Sequence, residues 1–87
     1  MLRITRVPTA DATTLMVSGR IDAAQLTDLR RSVDAEQARD LVLDLKEVSL
    51  VDVQVVRYLL RCERRGVHIA HCPAYIREWM VREKTAT

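Results

Sequence analysis

Phenylalanine is absent and the aromatic residues are Tyr58, Tyr75 and Trp79 alone, so the interior of this 87-residue chain has to be aliphatic, built from Leu, Val and Ile. Glycine and proline are equally scarce: Gly19, Gly66, Pro8 and Pro73 are all there are. No segment is low in complexity and no period of about 20–50 residues recurs, which excludes repeat architectures. Long apolar runs are missing too. The apolar stretch Val48 to Val56 around Asp52, like every other nearly uncharged stretch, falls far short of the ~20 residues of a membrane span, so no membrane insertion is expected. The start, Met1-Leu2-Arg3-Ile4, alternates and lacks the apolar block of a signal peptide. Two cysteines without an export signal point to a reducing, cytoplasmic setting. A net charge of +2 is too small to imply nucleic acid or an acidic membrane surface by itself.

What is present is a balance of 48% hydrophobic and 30% charged residues, which fits a globular protein and argues against disorder. The length allows one domain over residues 1–87, with one core and no second lobe, since typical domains hold roughly 100–150 residues.

The four Gly and Pro residues divide the chain into short elements. Leu2, Ile4 and Val7 alternate with Arg3, Thr5 and Arg6 as in a half-buried strand. A turn at Pro8 to Asp11 leads to a second, antiparallel strand over Thr13 to Ser18, which Gly19 ends. Asp22 suits the N-cap of a helix from Ala23 to about Glu36, whose Leu26, Leu29 and Val33 form one stripe. Leu41-Val42-Leu43-Asp44-Leu45 reads as a central strand covered on both faces, and Val48 to Val51 as a connection. Asp52 is again placed as an N-cap, ahead of a helix marked by Val55, Val56, Leu59 and Leu60 and closed by Gly66. A fourth strand spans Val67 to Ala70. Pro73 starts a third helix burying Ile76, Trp79 and Met80, and Lys84 to Thr87 are expected to fray. The expected fold class is α/β: a small mixed sheet of about four strands with about three helices, in the order β-β-α-β-α-β-α, the last three strands parallel through right-handed crossovers.

The block Leu43-Asp44-Leu45-Lys46-Glu47-Val48-Ser49-Leu50-Val51-Asp52, then an aliphatic helix and Gly66-Val67-His68-Ile69, resembles the STAS domain of anti-sigma-factor antagonists. Val17-Ser18-Gly19-Arg20-Ile21-Asp22 resembles the approach to that family's first helix, and the likeness covers roughly residues 13 to 80. The resemblance implies a non-enzymatic protein-binding module that regulates a partner in bacterial signalling or transport. The expected partner is an anti-sigma kinase or, alternatively, the ATPase of a lipid-type ABC transporter that the chain serves as a small accessory subunit. In the family, the aspartate matched by Asp52 opens the sequence Asp-Ser-Ser/Thr-Gly, whose second hydroxyl residue is phosphorylated. Here the segment is Asp52-Val53-Gln54-Val55, so Gln54 occupies the phosphoacceptor position and an amide cannot take phosphate in this way. A hydroxyl there would toggle binding, because about −1.5 to −2 of charge would land beside a helix N-terminus and an aspartate. Ser49 is the nearest hydroxyl, with satisfaction of local backbone groups as its plainer role.

The expected docking residues are therefore Ser49, Leu50, Val51, Asp52, Val53, Gln54 and Arg57. Leu50, Val51 and Val53 cannot all point inward from so short a segment, and any exposed remainder forms an apolar contact patch. Arg57, Arg61, Arg64 and Arg65 make a basic edge on the second helix, read first as a solvated face with Glu63 and Glu47 as counter-charges and next as a contact for an acidic protein. Without interleaved aromatics or a helix-turn-helix pattern, it does not read as a nucleic-acid surface.

Catalytic, cofactor and metal sites are not expected. His68, His71, Cys72 and Cys62 match no standard zinc spacing, and both cysteines read as small buried hydrophobes. Gly19 and Gly66 belong to no phosphate-cradling loop, and Asp22, Asp44 and Asp52 do not make a carboxylate active site. A small enzyme and a nucleic-acid binder remain the alternatives of a different class. Full-length members of the STAS family usually continue with another strand and helix, so a chain ending soon after Trp79 is expected to leave the fourth strand at an edge, which a second copy or a partner would complete.

Overall fold

A computed structural model describes residues 2–36 and 40–85. The order is β1 (Leu2–Pro8), β2 (Ala12–Ile21), α1 (Ala23–Asp34), β3 (Asp40–Val51), α2 (Val53–Arg64), β4 (His68–Ala70) and α3 (Ala74–Thr85). The strands form one sheet in the spatial order β1-β2-β3-β4, with β1 antiparallel to β2 and the other neighbours parallel. This is the mixed four-stranded α/β fold that the apolar periodicity implies.

Local signals explain most boundaries. Asp22 closes a capping box with Gln25, accepting from the backbone N–H groups of Ala24 and Gln25, while the Gln25 side chain accepts from the Asp22 N–H. Gly66, at φ +92°, takes the left-handed conformation that ends α2. The carbonyl of Pro73 accepts the N–H groups of Ile76 and Arg77, which opens α3 one residue later than the sequence suggests. The Thr85 hydroxyl donates to the carbonyls of Val81 and Arg82, and the helix runs through Lys84 to Thr85; Ala86 and Thr87 lie outside the described residues.

Two expectations about β2 and β3 are corrected. Val48 to Val51 is not a connection but the continuation of β3, pairing as Val48↔Gly19, Leu50↔Arg20 and Val51↔Ile21. The register slips between Met16 and Ser18 and again between Gly19 and Arg20. These bulges break the period-two pattern and so disguise the strand. Gly19, at φ +96°, is the hinge of the second slip, and it bends β2 rather than ending it.

The central strand is also not covered on both faces. Leu41, Leu43 and Leu45 are buried under the helices together with Leu15, Val17 and Ile69, whereas Val42 and Asp44 are only half-buried and Met16 is exposed. One aliphatic core therefore lies between the sheet and all three helices. Leu29, Val55, Val56, Leu59, Cys62 and Ile76 are fully buried in it.

Tyr58 is buried against this core with the Arg30 guanidinium 5.7 Å from its ring centroid. Its hydroxyl has no hydrogen-bond partner of acceptable geometry; the Cys62 thiol one turn on is close enough to act on it electrostatically but is a weak acceptor. Burial foremost pushes the Tyr58 phenol well above its ordinary range. Removing an unsatisfied hydroxyl should cost nothing, so Tyr58→Phe is expected to leave stability unchanged or raise it by up to about 1 kcal/mol in urea titration. A loss larger than that would reveal a hidden partner for the oxygen.

Candidate functional site

The corner where β3 hands over to α2 is set by two devices. Register pairs Val51 with Ile21, so β2 and β3 end side by side, and each strand is followed at once by a capping aspartate, Asp22 or Asp52. The first turns of α1 and α2 thus start next to each other at the carboxyl edge of the parallel strands. Asp52, extended at φ −111°, ψ 179°, accepts the Val55 N–H at 3.1 Å, and its carbonyl accepts the Val56 N–H. The structure gives Asp52 the capping role read from the sequence. Asp52→Ala is expected to cost about 1 kcal/mol, measurable as a fall in the thermal midpoint; no loss at all would mean water replaces the cap.

The apolar residues of the corner divide between inside and outside. Val51 is half-buried and packs on the core. Leu50 is 55% exposed, and Val53 is half-buried without joining the core cluster. Ser49 and Gln54 are exposed, Gln54 on the first turn of α2. A small cavity of about 150 Å³, lined by Arg20, Ile21, Asp22, Leu50, Val51 and Asp52, opens between the two strand ends. A larger one, about 870 Å³, lies at the far end of the strands around the Pro8–Thr13 turn and holds none of these residues.

Arg57 is exposed on the next turn of α2, its Nε donating to Glu83 of α3 at 3.0 Å. Its partner is thus neither of the expected counter-charges. Glu63 pairs instead with Arg77 at 3.0 Å, and Arg65 approaches Asp34 at 3.8 Å. Such exposed pairs contribute little to stability, at most about 1 kcal/mol each, and leave the basic edge of α2 available to solvent or to a partner.

One tether escapes sequence reasoning: the Tyr75 hydroxyl donates to the Ser49 carbonyl at 2.6 Å. It fixes the corner to the start of α3. Only the placement of Tyr75 two residues after Pro73, in a helix first turn, hinted at a polar reach of that kind.

The other polar candidates do not assemble. Cys62 is fully buried, His68 stands exposed on the uncovered sheet face, and Cys72 is half-buried beyond β4. His71, at φ +52°, places Nδ1 3.2 Å from Asp44 Oδ2, and Asp44 Oδ1 also accepts the Lys46 N–H. Burial pushes both thiols above their ordinary values, which keeps them protonated and weakly nucleophilic at neutral pH. Among the described residues, no group of three or more His, Cys, Asp or Glu side chains stands close enough together to hold a metal ion. No helix among them is long and apolar enough to cross a membrane.

The family described as "Mlab, STAS domain" matches residues 4–79, nearly the whole chain. No curated protein matches it.

Proposed function

Because the chain belongs to the STAS-domain family, we propose that it is a non-enzymatic regulatory module that docks on a protein partner through Ser49–Val55 and the outer face of α2. The supporting observation is that the corner stands at the surface with Leu50 more than half exposed and Val53 outside the core, beside a helix start held rigid by Asp52. Exposed aliphatic groups on a fixed backbone need no ordering on binding, which favours a contact surface. Arg57 extends it with a positive rim suited to an acidic partner surface, and rim charges govern the rate and orientation of encounter.

Gln54 occupies the position whose hydroxyl the family phosphorylates, and it is exposed on the first turn of α2. The amide keeps hydrogen-bonding capacity but has one chemical form, so docking here is constitutive or controlled elsewhere. An anti-sigma kinase-like protein in a bacterial cytoplasm is the first partner class. The missing hydroxyl also favours a second reading, that of a permanently docked accessory subunit clasping the ATPase of a lipid-type ABC transporter, because a fixed subunit needs no release switch.

Affinity capture from the source cells, with the native chain and Val53→Asp as parallel baits, tests the proposal. A protein held by the first bait and lost from the second, with no phosphate on the bait by intact mass, is the expected result. A phosphate at Ser49 or at a threonine would contradict the absence of a switch, and equal capture by both baits would contradict the site.

A further inference from the structure

Three of the four strands are parallel, and parallel strands are normally covered on both faces. Here the helices cover one face and the other carries a strip drawn from β1, β2 and β3. Strand register orders it in three rows: Arg3–Ser18–Glu47, Thr5–Met16–Asp44 and Val7–Thr14–Val42. Met16 at its centre is 44% exposed and Val7 is 40% exposed, with Val42 and Thr14 half-buried beside them. Lys46 shares the bulge with Glu47, so Arg3 and Lys46 balance Asp44 and Glu47, and the strip carries no net charge.

We propose that this face joins two copies of the chain, packed sheet to sheet about a two-fold axis running along β2. That axis exchanges β1 with β3 and keeps each row in place. Arg3 then meets Glu47 of the second copy, Val7 meets Val42, and Met16 meets its own equivalent at the centre. A two-fold axis running across the strands would instead set Arg3 over Val7 and Glu47 over Val42, leaving both charges against aliphatic groups. Only the first arrangement is self-complementary in charge and in hydrophobicity, as a symmetric contact must be.

Stacked sheets cross at about 30°, which displaces the end rows, whose outer positions lie about 8 Å from the centre of the strip, by about 4 Å. Arginine and glutamate side chains span that offset. Three strands over five residues cover roughly 250 Å² per copy, well under the ~800 Å² per partner of a standard interface, so the dimer is weak and concentration-dependent. The edge strand β4 offers a poorer route to self-association, since it holds three residues and presents few backbone groups to a partner.

Sedimentation from about 10 μM to about 1 mM, the range in which so small an interface shows itself, tests the proposal. The native chain is expected to pass from monomer to dimer, and Met16→Lys, which sets two like charges together at the axis, to stay monomeric with an unchanged thermal midpoint at low concentration. Arg3→Glu and Glu47→Arg are each expected to weaken the dimer about tenfold or more. An equimolar mixture of the two is expected to form the heterodimer, and the double variant to recover the native constant within about threefold. The double exchange keeps the proposal open to test even if a single reversal disturbs folding. A monomer at every concentration would overturn it. So would a dimer indifferent to Met16→Lys and to both reversals, or one abolished by His68→Pro alone, which would assign association to β4.

Discussion

Leu59→Ala is expected to lower the stability of this domain by about 2–5 kcal/mol, enough to unfold a large share of the molecules at 37 °C. Leu59 is fully buried on α2, on the face that packs against the sheet, and belongs to the single core cluster that includes Leu43, Val55 and Ile76. Truncation removes the transfer free energy of the lost carbons and leaves a cavity. With no phenylalanine in the chain and Trp79 only half-buried, the surrounding aliphatic side chains have little spare bulk with which to refill it. A domain of this length holds roughly 4–13 kcal/mol in total, so one such cavity consumes a large part of it. Leu50→Ala, nine residues earlier but 55% exposed, is expected to change stability by no more than about 0.5 kcal/mol. Urea titration of the pair checks this, and a comparable fall for Leu50→Ala would show that the corner belongs to the interior.

The second large effect concerns binding. Leu50→Asp and Val53→Asp are each expected to reduce affinity for the protein partner by about thirtyfold or more, the loss characteristic of a central interface residue worth 2 kcal/mol or above. A carboxylate at either place must be desolvated without a compensating donor when the partner closes over it. Both variants are expected to keep the native thermal midpoint to within a few degrees, since neither side chain is part of the core cluster. The combination of lost binding with retained folding separates a contact surface from a structural one. Calorimetric titration with the purified partner reads the first quantity and thermal unfolding the second.

The helices were almost fully legible in the sequence because their signals are local. Asp22 and Asp52 as caps, Gly66 as a terminator, and the three-and-four spacing of Leu26, Leu29 and Val33 each act within one or two turns, and the structure places all of them as their chemistry dictates. The far half of β3 was hidden because its pairing depends on register slips in β2 and β3, which no local pattern encodes. The open sheet face was hidden for a related reason: Leu41-Val42-Leu43 looks doubly buried, yet Val42 faces away from the helices and is only half-covered. At the corner between β3 and α2, the chain itself located Asp52 as the cap and Gln54 on the first turn of the helix. Which of Leu50, Val51 and Val53 points outward depended on the extended strand and on packing, as did the Tyr75 tether from an element 26 residues away.

The central idea is that a rigid, surface-exposed start to α2 holds a partner in one chemical form. Its most direct test is the affinity of the captured partner for recombinant chain that carries no phosphate, measured alongside Val53→Asp. Full binding by the unmodified protein, with a loss of about thirtyfold or more on the substitution, is the expected result. Binding that appears only after a kinase has acted, or that is indifferent to Val53→Asp, would contradict it.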